Sequence, residues 1–307
     1  VIEVRSADVC SDIVAEHGEG PVWDSRADEL LWVDVGAGRL HRGRPEAGGV
    51  RHLGTLEIGV ALGAVSPAEY GGWILAAGLG FAHADRDGRL TWLAEPEAGR
   101  PDLRMNDGAC DPRGRFWAGS MSYAETPGAG TLYRLDPDGS VRPMVRGTTI
   151  SNGLGWSDDG TTLWYADSGT GNVDTFDYDV AAGTVTNRRT VIRIDPDDGV
   201  PDGLTVDAED HVWVAIWDGG EVRRYAPEGD LVTRVALSVS RPTSCCFGGP
   251  DLATLFVSTA RKDLTPDQLR TQPDAGRLFA ADVGVRGVSA PPFAGPARTV
   301  SPPGRSG

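Results

Sequence analysis

Apolar positions along the chain come in short blocks, and the blocks return. "ELLWVD" at Glu29, "GWILAA" at Gly72, "GRFWAGSM" at Gly114, "TTLWYAD" at Thr161, "HVWVAIW" at His211 and "ATLFVSTA" at Ala253 are runs rich in Trp, Leu and Val. Each leads through a Gly-rich or Asp-rich turn into a more amphipathic strand, such as "GTLYRLDPDG" at Gly130 or "EVRRYAPEG" at Glu221. The unit recurs about every 42 to 49 residues, six times in all. No window of helical periodicity interrupts the units. Repeated antiparallel sheets of this period, with 42 glycines and 21 prolines to serve the turns, predict an all-β fold, a six-bladed β-propeller. A linear β-solenoid fits less well, because its repeats are usually shorter. The expected organisation is a single domain over 1–307, with about 296–307 a Pro/Gly-rich tail.

In a propeller the innermost strand of every blade lines a central channel, so residues at one register meet around a common axis. Aligning the units on a shared glycine brings together Glu19 of "GEGPVWDS", Asn106 and Asp107 of "MNDGACDPRG", Asn152 of "SNGLGWSDDG" and Asp202 of "PDGLTVDAED". The sixth unit adds Ser244 of "RPTSCCFGG", and the second offers only "GVALGAVSP". These polar side chains are expected to converge at one end of the channel. Carboxylates and carboxamides so gathered are oxygen ligands, which Ca²⁺ and Mg²⁺ prefer and Mn²⁺ accepts. Zn²⁺ stays open through the carboxylates, although five scattered histidines lend it no support. Asn or Asp before Gly also caps turns at strand ends, but that account weakens when four such residues share one register. The "DPRG", "SDDG" and "DAED" stretches that follow read as hairpin turns.

Charge narrows the partners. A net charge of −15 with no basic run argues against a nucleic-acid partner, and cations or neutral molecules fit better. No apolar run approaches the roughly 18 residues of a membrane span, and "VIEVRSADVCSDIV" shows no signal peptide, although a start at Val suggests a processed end. Cys10, Cys110 and the adjacent Cys245 and Cys246 lack the zinc-type C-x-x-C spacing. Neighbours on a strand point to opposite faces, so Cys245 and Cys246 read as packed thiols, which suits a cytoplasmic location. The expected state is a monomer or a weak homo-oligomer.

From "GEGPVW" to "GVSAPPFAG" the chain resembles the SMP-30/gluconolactonase/regucalcin (senescence marker protein 30) family. The phrases that carry the resemblance are "NDGACDPRGRFWAGSM", "SNGLGWS", "VDTFDYD" with "TNRRTV", "PDGLTVDAEDHVWVA" and "PTSCCFGG". The resemblance implies a six-bladed propeller holding one divalent cation in its channel, Ca²⁺ first and Mg²⁺, Mn²⁺ or Zn²⁺ as alternatives, and hydrolysing a small-molecule lactone. It implies Glu19, Asn152 and Asp202 as metal ligands, Asp202 also as general base, and Arg104 and Asn106 as substrate contacts. Arg104 rests on the resemblance alone, and an ion pair with Asp107 is its structural alternative. One departure stands out: "AGSMSYAETPGAG" has a shorter loop, with Ala124 where relatives can carry a sugar-binding acid. Glu125 lies one residue on and Tyr123 makes that wall more apolar, so weaker dependence on a fully hydroxylated ring is expected.

Other catalytic designs lack their carriers. There is no G-x-S-x-G elbow, no Walker P-loop and no H-E-x-x-H, and "DPDDG" at Asp195 lacks the spacing and helices of an EF-hand. The remaining alternatives are a non-catalytic cation-binding propeller and a metal-dependent esterase or phosphotriesterase.

Overall fold

The structure, a computed structural model, describes residues 2–295, so the expected 296–307 tail lies outside the described residues. Five of the apolar blocks head the second strand of a sheet: Glu29–Asp34, Trp73–Ala77, Phe116–Ser122, Val212–Trp217 and Thr254–Thr259. The sixth does the same at Thr162–Asp167. These strands are buried almost throughout, because both of their faces pack against a neighbouring sheet. That explains why they read as continuous apolar runs and not as alternation. Outer strands such as Thr184–Arg193 are mostly exposed.

Six sheets result, and the innermost strands are Gly18–Asp24, Leu62–Pro67, Leu103–Cys110, Ser151–Trp156, Val200–Val206 and Pro242–Gly248. Each touches the next and the sixth touches the first, which closes a six-bladed propeller around a channel. The core is correspondingly divided: six apolar clusters each fill one interface between neighbouring sheets. Cys245 belongs to the cluster between the fifth and sixth sheets and Cys246 to the one between the sixth and first. The two thiols do point apart, and all four cysteines are free.

The ring is closed by hydrogen bonds. Asp8–Val9 pairs with Phe279–Asp282 as the outer strand of the sixth sheet, and Glu3–Ser6 adds in parallel to Leu231–Ala236 of the fifth. At the far end of the channel the segment 286–294 runs from the turns of the fifth and sixth sheets to those of the second and third. Its anchors are Ala208 N to Arg286 O and Gly287 N to Leu252 O at one side, Phe293 N to Pro67 O and Ala294 N to Gly114 O at the other.

Two expectations about turns and helices meet the structure here. The turns after the innermost strands are structural: fully buried Asp111 accepts from Arg113 N, Arg115 N and Trp117 Nε1, and Asp207 repeats the set with Glu209 N, His211 N and Trp213 Nε1. The absence of helix does not hold throughout, because Pro266–Thr271 forms one short helix. Thr265 and Gln268 cap it reciprocally. Among the described residues no helix is long and apolar enough to cross a membrane.

Candidate active site at the channel mouth

Every innermost strand breaks register with its neighbour at the same level, between Glu19 and Val22, Leu62 and Ala64, Met105 and Gly108, Ser151 and Leu154, Pro201 and Leu204, and Pro242 and Ser244. A bulge re-aims the side chain it carries. Here it turns Glu19, Asn106, Asn152 and Asp202 together into a cavity of about 260 Å³ at one mouth. Glycine follows Asn152 and Asp202 because the neighbouring strands pass too close for a Cβ. One at Gly153 would lie 2.7 Å from Leu204 N, and one at Gly203 2.1 Å from Ser244 Oγ.

The loops that lead into these strands are clamped. Asp34, last residue of the second strand in the first sheet, accepts Glu16 N at 2.9 Å and His17 N at 3.1 Å. Asp167 does the same in the fourth sheet for Thr149 N at 3.0 Å and Ile150 N at 2.9 Å. Each clamp ends two residues before a site side chain, Glu19 or Asn152.

Glu19, Arg104, Asn106, Asn152 and Asp202 are all no more than 6% exposed. Asn152 Nδ2 donates to Ser168 Oγ and to Asp202 Oδ1, while Asn152 Oδ1 is buried without a partner. Glu19 Oε2 accepts Gly20 N at 2.6 Å. Burial pushes the Glu19 carboxyl well above the ordinary range, and the charges of Asp202 and Asp107 push it further. Asp202 is driven the same way by burial and then by Asp107. Two buried carboxylates that resist ionising together, beside an unpartnered carboxamide oxygen, form a hard oxygen donor set that a divalent cation would satisfy. Among the described residues no group of three His, Cys, Asp or Glu side chains is gathered for a metal. A cation here would therefore take two carboxylates and the Asn152 carboxamide.

Arg104 Nη1 donates to Asn106 Oδ1 at 2.6 Å and to Met105 O at 3.0 Å, and Asn106 Nδ2 donates to Ser151 O at 2.9 Å. Asn106 thus orients the guanidinium. The alternative ion pair of Arg104 with Asp107 does not form.

Two residues depart from the expected convergence. Asp107 and Ser244 face the other end of the channel, where they line a second cavity of about 340 Å³ under the 286–294 segment. Asp107 follows Asn106 in the bulge and is sent the opposite way, with its Oδ1 accepting Gly108 N at 2.7 Å. Burial raises it to about 6. Although that second cavity is larger, the convergent charged and carboxamide groups are at the mouth, and the site is placed there.

Sequence reading missed His17, Trp217, Arg241 and Lys262, which complete the walls. His17 adjoins the "GEGP" phrase, and burial followed by the charges of Arg104, Lys262 and Arg241 lowers it to about 3, so the imidazole is neutral at pH 7. Tyr123 and Glu125 both reach the cavity, and Ala124 does not. Their loop is a tight turn with Glu125 N on Ser122 O and a left-handed φ of 53° at Glu125.

Comparison with known proteins agrees with this fold. The sequence model of the family described as SMP-30/Gluconolactonase/LRE-like region matches residues 17–261. Regucalcin of Xenopus laevis is 38% identical over 286 residues, covering 91% of this chain and 95% of its own. Among solved structures, a calcium-binding protein, regucalcin, from Agrobacterium tumefaciens superposes with a TM-score of 0.90 at 28% identity, over 95% of this chain and 99% of that one. A luciferin-regenerating enzyme gives 0.86 at 26%, over 94% and 100%. With the family model matched over residues 17–261 and a relative 38% identical over 91% of this chain, the protein belongs to the SMP-30/gluconolactonase/LRE-like family.

Proposed function

We propose that this propeller is a cation-dependent lactonase. The observation that carries the reading is the convergence, in one cavity, of two buried carboxylates, Glu19 and Asp202, both raised above the ordinary range, an unpartnered Asn152 Oδ1 and the oriented guanidinium of Arg104. Glu19, Asn152 and Asp202 would hold the cation, with Ca²⁺ first because a relative of 28% identity is named a calcium-binding protein. When bound, a divalent cation polarises a carbonyl oxygen and makes water a better nucleophile.

The protein's own groups do the rest. Arg104 faces the cavity, where it stabilises the negative charge that develops on the carbonyl oxygen as water adds. Asn152 holds Asp202 through Oδ1, and the Asp202 carboxylate takes the proton from the attacking water. As the ring C–O bond breaks, that proton passes to the leaving alkoxide, and the product is the open hydroxy acid. Tyr123 and Glu125 form the wall against the ring substituents, with Glu125 the hydrogen-bond acceptor for a hydroxyl. Asp107, turned away from the mouth, acts on Glu19 and Asp202 only through its charge.

A pH-stat screen of sugar and aliphatic lactones tests the reading, using chelated protein with Ca²⁺, Mg²⁺, Mn²⁺ or Zn²⁺ added back. Turnover that appears only with a cation is expected. Full turnover in the chelated protein removes the cation from the mechanism, and cation binding without turnover of any lactone would leave a binding propeller instead.

A further inference from the structure

Six sheets around one axis put the third and the sixth on opposite sides of the mouth. The third supplies Tyr123 and Glu125, and the sixth supplies two cations, Arg241 and Lys262, together with the carboxylate of Asp263. Arg241 immediately precedes the innermost strand Pro242–Gly248, and Lys262 lies just past the second strand Thr254–Thr259. Lys262 is the only lysine of the chain, whose 29 basic residues are otherwise arginines, and it stands on the wall of this cavity in a protein of net charge −15.

The arrangement is built. Arg241 stacks on Trp217 at 4.9 Å, donates from Nε to Asp218 Oδ1 at 2.7 Å, and donates from Nη1 to the backbone oxygen of Lys262. Three contacts fix the guanidinium and leave Nη2 unengaged, while tying the loop of Lys262 to the same wall. Among the described residues the Lys262 ammonium has one carboxylate within 4 Å, Asp263 at 3.9 Å, beyond hydrogen-bond length and with that carboxylate 76% exposed. Asp218 is already used by Arg241, and Glu125 stands on the opposite wall. The sixth-sheet side of the mouth is therefore cationic with donor capacity to spare.

We infer that the substrate is a lactone bearing a carboxylate, whose oxygens sit between Arg241 Nη2 and Lys262 Nζ while the lactone carbonyl faces Arg104 and the Glu19–Asp202 pair. This deepens the lactonase reading and rests on it. A neutral sugar lactone offers these donors only hydroxyl oxygens, whereas a carboxylate accepts from each in charge-assisted bonds roughly twice as strong. The apolar face of Tyr123 and the acceptor Glu125 on the far wall fit an uncharged remainder.

The test compares kcat/KM of the cation-loaded protein on one lactone ring with and without a carboxylate substituent, in the wild type, Lys262→Gln and Lys262→Arg. The expected result is a preference for the carboxylate form of about 10-fold or more. That preference should fall by about 10-fold in Lys262→Gln, be retained in Lys262→Arg and shrink with added salt. Equal or better use of the neutral ring, or a preference untouched in Lys262→Gln, overturns the inference while leaving the lactonase intact. If neither ring is opened, the lactonase reading fails, and the wall is tested separately through its unique amine. Acylation of Lys262, read by mass spectrometry of the full chain, should be slowed by glutarate and not by 1,5-pentanediol. Equal rates with both would overturn the anion site.

Discussion

Asp202 has two oxygens and two duties. Oδ1 is held by the Asn152 amide, and that bond also turns Asn152 Oδ1 outward, unpartnered, beside the same carboxylate. As both ligand and base, Asp202 should be costlier to lose than a residue with one role. Asp202→Asn keeps the size and one ligand oxygen but cannot take a proton. With the cation saturating and its binding confirmed directly, kcat is expected to fall by about 10²-fold, the loss typical of a missing general base. Near-normal kcat in that loaded variant would make Asp202 a ligand only and assign proton removal elsewhere. Arg104 and Asn106 act as one unit at this scale, because the carboxamide fixes the guanidinium and is itself fixed by Ser151 O.

At the scale of the element, the site depends on how each innermost strand is entered and where it bulges. Asp167, 2% exposed, holds Thr149 N and Ile150 N two residues ahead of Asn152. Asp167→Ala strips a charged acceptor from two backbone donors, so a stability loss of about 2 kcal/mol is expected in denaturant unfolding. Calorimetric titration should show weaker cation binding in the same variant, and Asp167→Asn, which keeps an acceptor, should recover part of both. A less stable variant with undiminished cation affinity would reduce the clamp to a structural bond. The propeller itself is legible because second strands such as Val212–Trp217 are buried on both faces and print as apolar blocks. Asn152 and Asp202 are legible because the glycine demanded by the close passage of neighbouring strands marks their register, and Glu19 because Gly20 after it takes a left-handed φ of 50°. Lys262 and Arg241 lie outside the strands and share no register, so no alignment of units could gather them, and Trp217, the last residue of Val212–Trp217, read only as part of an apolar block. The fate of Asp107 turns on which way a bulge throws adjacent residues, and composition carries no sign of that. The helix Pro266–Thr271 did leave a signature, the Thr265 to Gln268 capping box, but six residues are too few to show a period.

Across the whole molecule, Glu19 belongs to the first sheet, Asn152 to the fourth and Asp202 to the fifth, so a cation held by the three would tie together sheets otherwise joined only through their own interfaces. Without it, burial and the charge of neighbouring carboxylates, Asp202 and Asp107 for Glu19 and Asp107 for Asp202, raise both carboxyl groups above their ordinary values of 4.5 and 3.8. The folded protein then retains protons that the unfolded chain has released, so chelated protein should lose stability as pH rises from the ordinary carboxylate range through the raised values. Buried histidines work in the opposite sense: His41, lowered to about 4, and His17, lowered to about 3, contribute stability above 6.5 that is lost as pH falls towards those values. The difference between cation-loaded and chelated protein at each pH cancels the contribution of His41, remote from the mouth, and isolates the carboxylates. A cation displaces their protons, so it should bind more tightly as pH rises. At about 100 times its Kd it stabilises by about 2.7 kcal/mol, or about 4 °C in Tm for a protein of this size. Thermal unfolding in Ca²⁺ and in chelator at pH 5, 6.5 and 8 is expected to show this gap widening with pH. A gap that stays constant or narrows would mean that Glu19 and Asp202 are already ionised without the cation, or that they are not what holds it.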